Sequence, residues 1–265
     1  WGEDFLTQLE RARANATHGQ KKRLTRDEQS AIVTSFIKSK KRLILLDYDG
    51  TLHGFSSDIR PDAVRPGPRL RAQLKHISEQ HDTRLCIISG RSRKTLDQWF
   101  RGIPSLMLVA EHGAWIKQDG TWHQNATAYD KKPILSLLRE FTTRTPGAIV
   151  EEKDFALVWH YRAVNPELAY IRNVALRHEL RELTADTDLV VHNGNKIIEI
   201  KPSSIDKGNV AQRLAKEFPA DFVFAAGDDY TDEAMFAALG EDAITVKVGS
   251  GDTSARHRVS RLERV

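Results

Sequence analysis

The chain has 265 residues, 40% of them hydrophobic and 29% charged, which allows one large domain or two smaller ones and excludes a disordered chain. The net charge of +4 is an N-terminal property: residues 1–42 hold ten basic against five acidic side chains, and the nearly neutral remainder speaks against a nucleic-acid surface. No apolar run exceeds six residues (Ala234 through Leu239), far short of the roughly 20 a membrane span needs.

Residues 1–42 are polar, with helical spacing over 1–14 and 26–37 and a basic, loop-like stretch over 17–25, so they read as a helical lead-in or linker. A strand follows over 43–47, apolar up to Asp47. Next come a helix from Pro66-Gly67 to about residue 80, a strand over 84–88, a helix over 92–101 and a strand over 106–110. This alternation predicts βαβ units and a parallel sheet. The pattern changes at 114. Two short strands, 114–117 and 121–124, flank Gln118-Asp119-Gly120, a hairpin signal. A helix over 132–144, an alternating strand over 155–161, an amphipathic helix over 166–183 and strands over 189–192 and 197–200 predict a small layer with an antiparallel sheet. The βαβ pattern then resumes with a helix over 205–218, a strand over 222–226, a helix over 231–239 and a strand over 243–246. The expected class is α/β: a Rossmann-like parallel-sheet core over 43–113 and 196–265, interrupted by an inserted α/β cap domain over 114–195.

The single cysteine, Cys86, lies in an apolar strand and allows no intramolecular disulfide. With no secretory signal, a reducing cytoplasmic setting is expected, and the Asn-x-Thr triplets at Asn15 and Asn125 count as chance.

In an open parallel sheet, ligands bind outside the carboxyl ends of the strands. Those ends carry Asp47-Tyr48-Asp49-Gly50-Thr51, Ser89-Gly90-Arg91, Glu111-His112-Gly113 and Gly227-Asp228-Asp229-Tyr230-Thr231-Asp232-Glu233, with Lys207 opening a helix. Two carboxylates leaving one strand can divide phosphoryl transfer between them. One attacks phosphorus; the other protonates the leaving alkoxide and later activates water. Mg²⁺ takes hard oxygen ligands and keeps several waters, so Asp47, a backbone carbonyl near Asp49, and Asp228 suffice as the protein's share. Ser89 and Lys207 can hold the non-bridging oxygens.

This set resembles the haloacid dehalogenase superfamily, on four motifs in order: Asp47-x-Asp49-x-Thr51, Ser89, Lys207 and Gly227-Asp228-Asp229 with Asp232. Trp159-His160-Tyr161-Arg162 and Glu199-Ile200-Lys201-Pro202 extend the likeness, over about 40–255, to the trehalose-6-phosphate phosphatase family. The resemblance implies a Mg²⁺-dependent phosphatase acting on trehalose 6-phosphate through an aspartyl phosphate. Asp47 would be the nucleophile, Asp49 the acid/base, and Asp47, Asp49 and Asp228 the metal site with Asp232 behind it. The cap would close over the disaccharide and bind it through Glu151, with Glu152 one residue off in the alignment, and through Lys153 and Arg162. Glu199 at the return to the core, with Arg91, His112 and His160, would complete the sugar site. Residues 1–9 resemble the junction after the synthase domain of bifunctional synthase/phosphatase proteins, which implies a linked or associated synthase domain. The chain ends at Ser260-Arg261-Leu262-Glu263-Arg264-Val265, where the resemblance implies a further helix.

Plainer readings stand beside these. Asp229 suits a helix cap, Asp232 and Glu233 suit a helix dipole, and His112 suits a turn. His160 and Arg162 lie opposite the apolar face of their strand. The alternatives to the phosphatase reading are a phosphatase for another sugar phosphate and a non-catalytic regulatory domain of a trehalose synthase.

Overall fold

Leu43-Ile44-Leu45-Leu46 is apolar at every position, the pattern of a strand covered on both faces. It forms the body of β1 (Arg42–Asp47) in the computed structural model, which describes residues 23–54, 64–194 and 196–260. The helix expected over 1–14, most of the basic stretch over 17–25, the Asn15 triplet and the chain end at 261–265 lie outside the described residues.

In chain order, α1 (Arg26–Lys38) precedes β1, followed by α2 (Pro68–Ser78), β2 (Thr83–Ile88), α3 (Arg93–Trp99), β3 (Met107–Ala110), β4 (Trp115–Gln118) and β5 (Thr121–Gln124). Then come α4 (Lys132–Thr143), β6 (Ile149–Glu152), β7 (Leu157–His160), α5 (Pro166–Thr184), β8 (Leu189–Gly194) and β9 (Ile197–Pro202). The chain ends with α6 (Lys207–Glu217), β10 (Phe222–Gly227), α7 (Thr231–Ala238), β11 (Ile244–Val248) and β12 (His257–Val259). No helix among the described residues is long and apolar enough to cross a membrane.

Two compact units result. The first holds the described residues up to Ile88, Gly102–Met107 and those from Lys207 onward. Its strands run in the order β12-β11-β10-β1-β2, all parallel. β1 sits between β10 and β2, and its Leu43, Ile44 and Leu45 side chains are buried. α1 starts with a complete capping box, Thr25 with Glu28. It joins this unit through Leu24, whose N–H donates to Arg258 O at 2.9 Å, and through Ile32, packed on Ala226 and Val246.

The second unit holds Ser89–Arg101 and Leu108–Asp206. β3, β4 and β5 are antiparallel neighbours. The two residues that join β4 to β5, Asp119 and Gly120, have φ of 50° and 80°, as the tight hairpin signal requires. A separate four-stranded antiparallel sheet runs β6-β7-β9-β8. Leu157, Trp159, Ile198 and Ile200 form its apolar face, packed with Ile134 and Leu138 of α4 and Leu176 and Leu180 of α5. β9 pairs with both β7 and β8, so this sheet runs to Pro202 rather than stopping at residue 195.

Candidate active site

β1 and β10 are parallel neighbours with Leu46 opposite Ala226. Both strands therefore release the chain at the same edge, and Asp47 meets the Gly227-Asp228 turn there. Asp47 is only 5% exposed. Lys207, the first residue of α6, is buried too, and its Nζ donates to Asp47 Oδ1 at 2.6 Å and to Asp232 Oδ1 at 2.8 Å. Asp232 lies in the first turn of α7, fully buried. Its Oδ2 accepts the N–H groups of Asp228 and Asp229, both at 3.0 Å. An acid suits that place because it satisfies donors at the helix start. Gly50 has φ +93°, and a Cβ there would lie 2.0 Å from Asp228 Oδ2, so only glycine fits beside that carboxylate.

Asp47, Asp228 and Asp232 each offer an oxygen within 4.8 Å of the others. One ammonium cannot balance two buried carboxylates and a third that is half-buried. Burial pushes the Asp47 carboxyl well above the ordinary carboxylate range; Lys207 opposes this, and Asp232 and Asp228 add to it. Burial, reinforced by Asp232 and Asp229, pushes Asp228 up to about 6. Burial works against the charge of Lys207, yet Asp232 and Asp47 outweigh it and hold the ammonium above the ordinary lysine value. Asp47 Oδ2 and Asp228 Oδ1 are buried without a hydrogen-bond partner. Unpaired buried acceptors in an acidic cluster fit a hard divalent cation, which takes oxygen ligands. Both oxygens of Asp232 are already engaged, so Asp47 and Asp228 are the side chains with an oxygen to offer. Asp49 is half-buried, bridged through its backbone to His53, and outside the three-acid group. Thr51, read only as part of the first motif, is buried with its hydroxyl unpartnered.

The remaining expected residues lie in the second unit. Ser89 is fully buried; its Oγ accepts the Arg91 N–H at 3.1 Å and its carbonyl accepts the His112 N–H at 3.0 Å. Arg91 O accepts the Glu111 N–H at 3.0 Å. These bonds clip Ser89-Gly90-Arg91 to Glu111-His112-Gly113. A Cβ on Gly90 would lie 2.5 Å from His112 Nε2, so the imidazole needs glycine opposite it. The clip also holds Glu111 and His112 at φ of 50° and 56°. Left-handed backbone costs a non-glycine residue on the order of 1 kcal/mol.

In the four-stranded sheet, Glu151 stands opposite Val158, Val158 opposite Glu199, and Glu199 opposite His192. Residues in register share a face. The face turned away from α4 and α5 therefore carries Glu151, His160, Glu199 and Lys201, with Lys153 just past the end of β6. Glu151 Oε2 is 2.8 Å from His160 Nε2, and that bond holds the Glu151 carboxyl below its ordinary value. Lys153 Nζ donates to Gly90 O at 3.1 Å and lies 3.5 Å from Glu199 Oε1. Lys201 Nζ lies 4.0 Å from Glu199 Oε2, and Glu199 is 3% exposed. Glu152 belongs to the opposite face and pairs with Lys131 at 3.4 Å, so Glu151 is the one that shares a face with Glu199. Arg162 is exposed in the turn after β7. Sequence reasoning gave Lys201 no task, since its place beside Glu199 follows only from the strand's alternation in the folded sheet.

Residues 45–263 match the family model described as Trehalose-phosphatase. The chain is 35% identical, over 98% of its length, to a bifunctional trehalose-6-phosphate synthase/phosphatase from Thermoproteus tenax, of which it covers 36%. It is 34% identical, over 90% of its length, to a trehalose-phosphatase from Saccharomyces cerevisiae, of which it covers 29%. The chain thus spans about a third of the length of these curated relatives. Among solved structures, the C-terminal domain of the C. albicans trehalose-6-phosphate phosphatase superposes with a TM-score of 0.81 at 29% identity, covering 91% of this chain and 93% of that one. A haloacid dehalogenase-like hydrolase from Bacteroides thetaiotaomicron shares the fold at a TM-score of 0.60 and 19% identity, covering 83% of this chain and 94% of that one.

Proposed function

Because the chain belongs to the trehalose-phosphatase family, we propose that it hydrolyses trehalose 6-phosphate to trehalose and inorganic phosphate. The observation that carries this reading is the buried constellation of Asp47, Lys207, Asp232 and Asp228 with two unpaired carboxylate oxygens. Asp47 attacks phosphorus; a carboxylate O–P bond forms, the P–O bond to the sugar breaks, and Asp49 gives its proton to the leaving alkoxide. Asp49 then takes a proton from water, whose oxygen attacks the aspartyl phosphate and releases Asp47 with phosphate. Lys207 and Ser89 serve the non-bridging phosphoryl oxygens. Mg²⁺, held by Asp47, Asp228 and a backbone carbonyl near Asp49, supplies charge neutralisation to the phosphoryl group when bound. Asp232 acts through others: it fixes Lys207 and the Asp228-Asp229 backbone.

Specificity falls to the cap. Trehalose presents only hydroxyls, so charged hydrogen-bonding side chains suit it. Glu151, Lys153 and Glu199 take that part, with Arg91, His112, His160 and Arg162 around them. The catalytic core is 43–113 with the chain after the cap, and the cap is 114–195 together with β9. A synthase domain as covalent or associated partner is supported by the bifunctional relative, and a cytoplasmic setting by the single cysteine.

The test is phosphate release with Mg²⁺ from trehalose 6-phosphate beside sucrose 6-phosphate, glucose 6-phosphate and mannose 6-phosphate. Preference for trehalose 6-phosphate, lost with EDTA and in Asp47→Asn, is the expected result. Preference for another sugar phosphate keeps the chemistry and overturns the reading of the cap. No turnover of any of the four overturns the reading as an enzyme.

A further inference from the structure

Glu111 has no part in the chemistry above, yet it is a carboxylate only 3% exposed. Its Oε1 accepts the Asp154 N–H at 3.1 Å and its Oε2 accepts the Phe155 N–H at 3.0 Å. Both oxygens thus hold consecutive backbone donors in the turn between β6 and β7. The same turn is closed by Lys153 N–H donating to Ala156 O at 2.9 Å. Lys153 is therefore the side chain whose root this turn fixes. Its ammonium donates to Gly90 O and stands beside Glu199. The other end of the arrangement is anchored too, because the Glu111 N–H donates to Arg91 O at 3.0 Å, one residue from Gly90. One residue thus ties the turn that carries Lys153 to the segment that accepts its ammonium. A carboxylate that binds backbone rather than a counter-ion fixes where the chain runs.

We propose that Glu111 is a positioning residue for sugar recognition, its carboxylate fixing the 153–155 turn so that Lys153 stays at Gly90 O beside Glu199. This rests on the reading that Lys153 and Glu199 bind the disaccharide. Glu111 then governs KM for the disaccharide phosphate, through Lys153, and leaves the phosphoryl chemistry alone.

The test is Glu111→Gln, which keeps one acceptor oxygen and turns an NH₂ group against the second backbone N–H. KM for trehalose 6-phosphate rises roughly tenfold, as loss of a charge-assisted hydrogen bond implies, while kcat and the turnover of p-nitrophenyl phosphate hold. Combined with Lys153→Ala, the two KM penalties fall short of their sum, because Glu111 acts through Lys153. Amide hydrogen exchange at Asp154 and Phe155 speeds up in Glu111→Gln. Equal losses of kcat on both substrates, additive KM penalties, or unchanged exchange at both amides each overturn the proposal. If Lys153→Ala leaves KM unchanged in an active enzyme, the sugar-binding reading fails instead, and the exchange data still decide the clamp. Should Glu111→Gln fail to fold, wild-type exchange decides: Asp154 and Phe155 must be among the slowest amides of 150–156, and fast exchange there overturns the proposal.

Discussion

Asp232 and Asp228 stand in one acidic cluster and should have opposite effects on stability. Asp232 accepts three hydrogen bonds, from Lys207 and two backbone N–H groups. Asn there must turn an NH₂ group against one of these donors. Asp232→Asn should lower stability by about 3 kcal/mol, the scale of breaking a buried charge pair, as read by urea unfolding. Asp228→Asn removes a half-buried carboxyl that burial, Asp232 and Asp229 all disfavour as a charge. Without Mg²⁺ that variant should be about 1 kcal/mol more stable than the parent, while turnover is lost. A loss of stability in both variants sinks the distinction. Cys86 is buried, and burial pushes its thiol far above the ordinary value. It should ignore a disulfide reagent in the native protein and react within the denatured chain. At this scale the sequence was readable where a carboxylate follows an apolar strand: Asp47 and Asp228 do come together at one sheet edge. Glu111 was not readable as a clamp. Its partners are Asp154 and Phe155, and its left-handed backbone occurs on a residue that carries no glycine signal.

At the scale of elements, periodicity did well when an element had one clean environment. β1 is apolar from Leu43 to Leu46 because it is central, and β7 alternates around Leu157 and Trp159 because one of its faces meets α4 and α5. β6 escaped because it is an edge strand whose Ile149-Val150-Glu151-Glu152 shows no alternation, and Ile149 is exposed. β12 escaped because His257-Arg258-Val259 is a short polar edge. Trp159 shows how the sheet is held to its helices. It is fully buried, and its Nε1 donates to Thr142 Oγ1 on α4 at 3.0 Å. Trp159→Phe keeps most of the apolar contact and leaves that hydroxyl without its donor, a loss of about 1–2 kcal/mol. Trp159→Ala opens a cavity as well and should cost about 4 kcal/mol. The two values, read from urea midpoints, must differ clearly; equal losses would mean that the hydrogen bond rather than the packing holds the sheet.

For the whole molecule, the switch from a parallel to an antiparallel pattern and back was legible because hydrophobic runs and turn residues report sheet type directly. The extent of the second unit was not, since β9 reads as a return strand until its pairing with β7 and β8 is known. If the acidic cluster holds Mg²⁺ as proposed, the stability of the folded chain should depend on both metal and proton. Asp228 binds its proton more tightly when folded, with a pKa raised from 3.8 to about 6. Without metal, that group favours the folded state most below its unfolded value, and the gain is lost as pH rises through the folded one. Asp47 adds in the same direction, since burial raises it too. Mg²⁺ bound there would reverse the trend, because it needs both carboxylates ionised and must displace those protons. At a hundredfold excess over Kd, Mg²⁺ should add about 2.7 kcal/mol, or about 5 °C or more in Tm. That gain should be small near pH 5 and still growing through pH 8, since burial raises Asp47 to about 8, and Asp228→Asn should abolish most of it. Melting curves with Mg²⁺ and with EDTA across this range check the sign. A metal effect that is flat with pH, or that survives in Asp228→Asn, would place the cation away from Asp47 and Asp228.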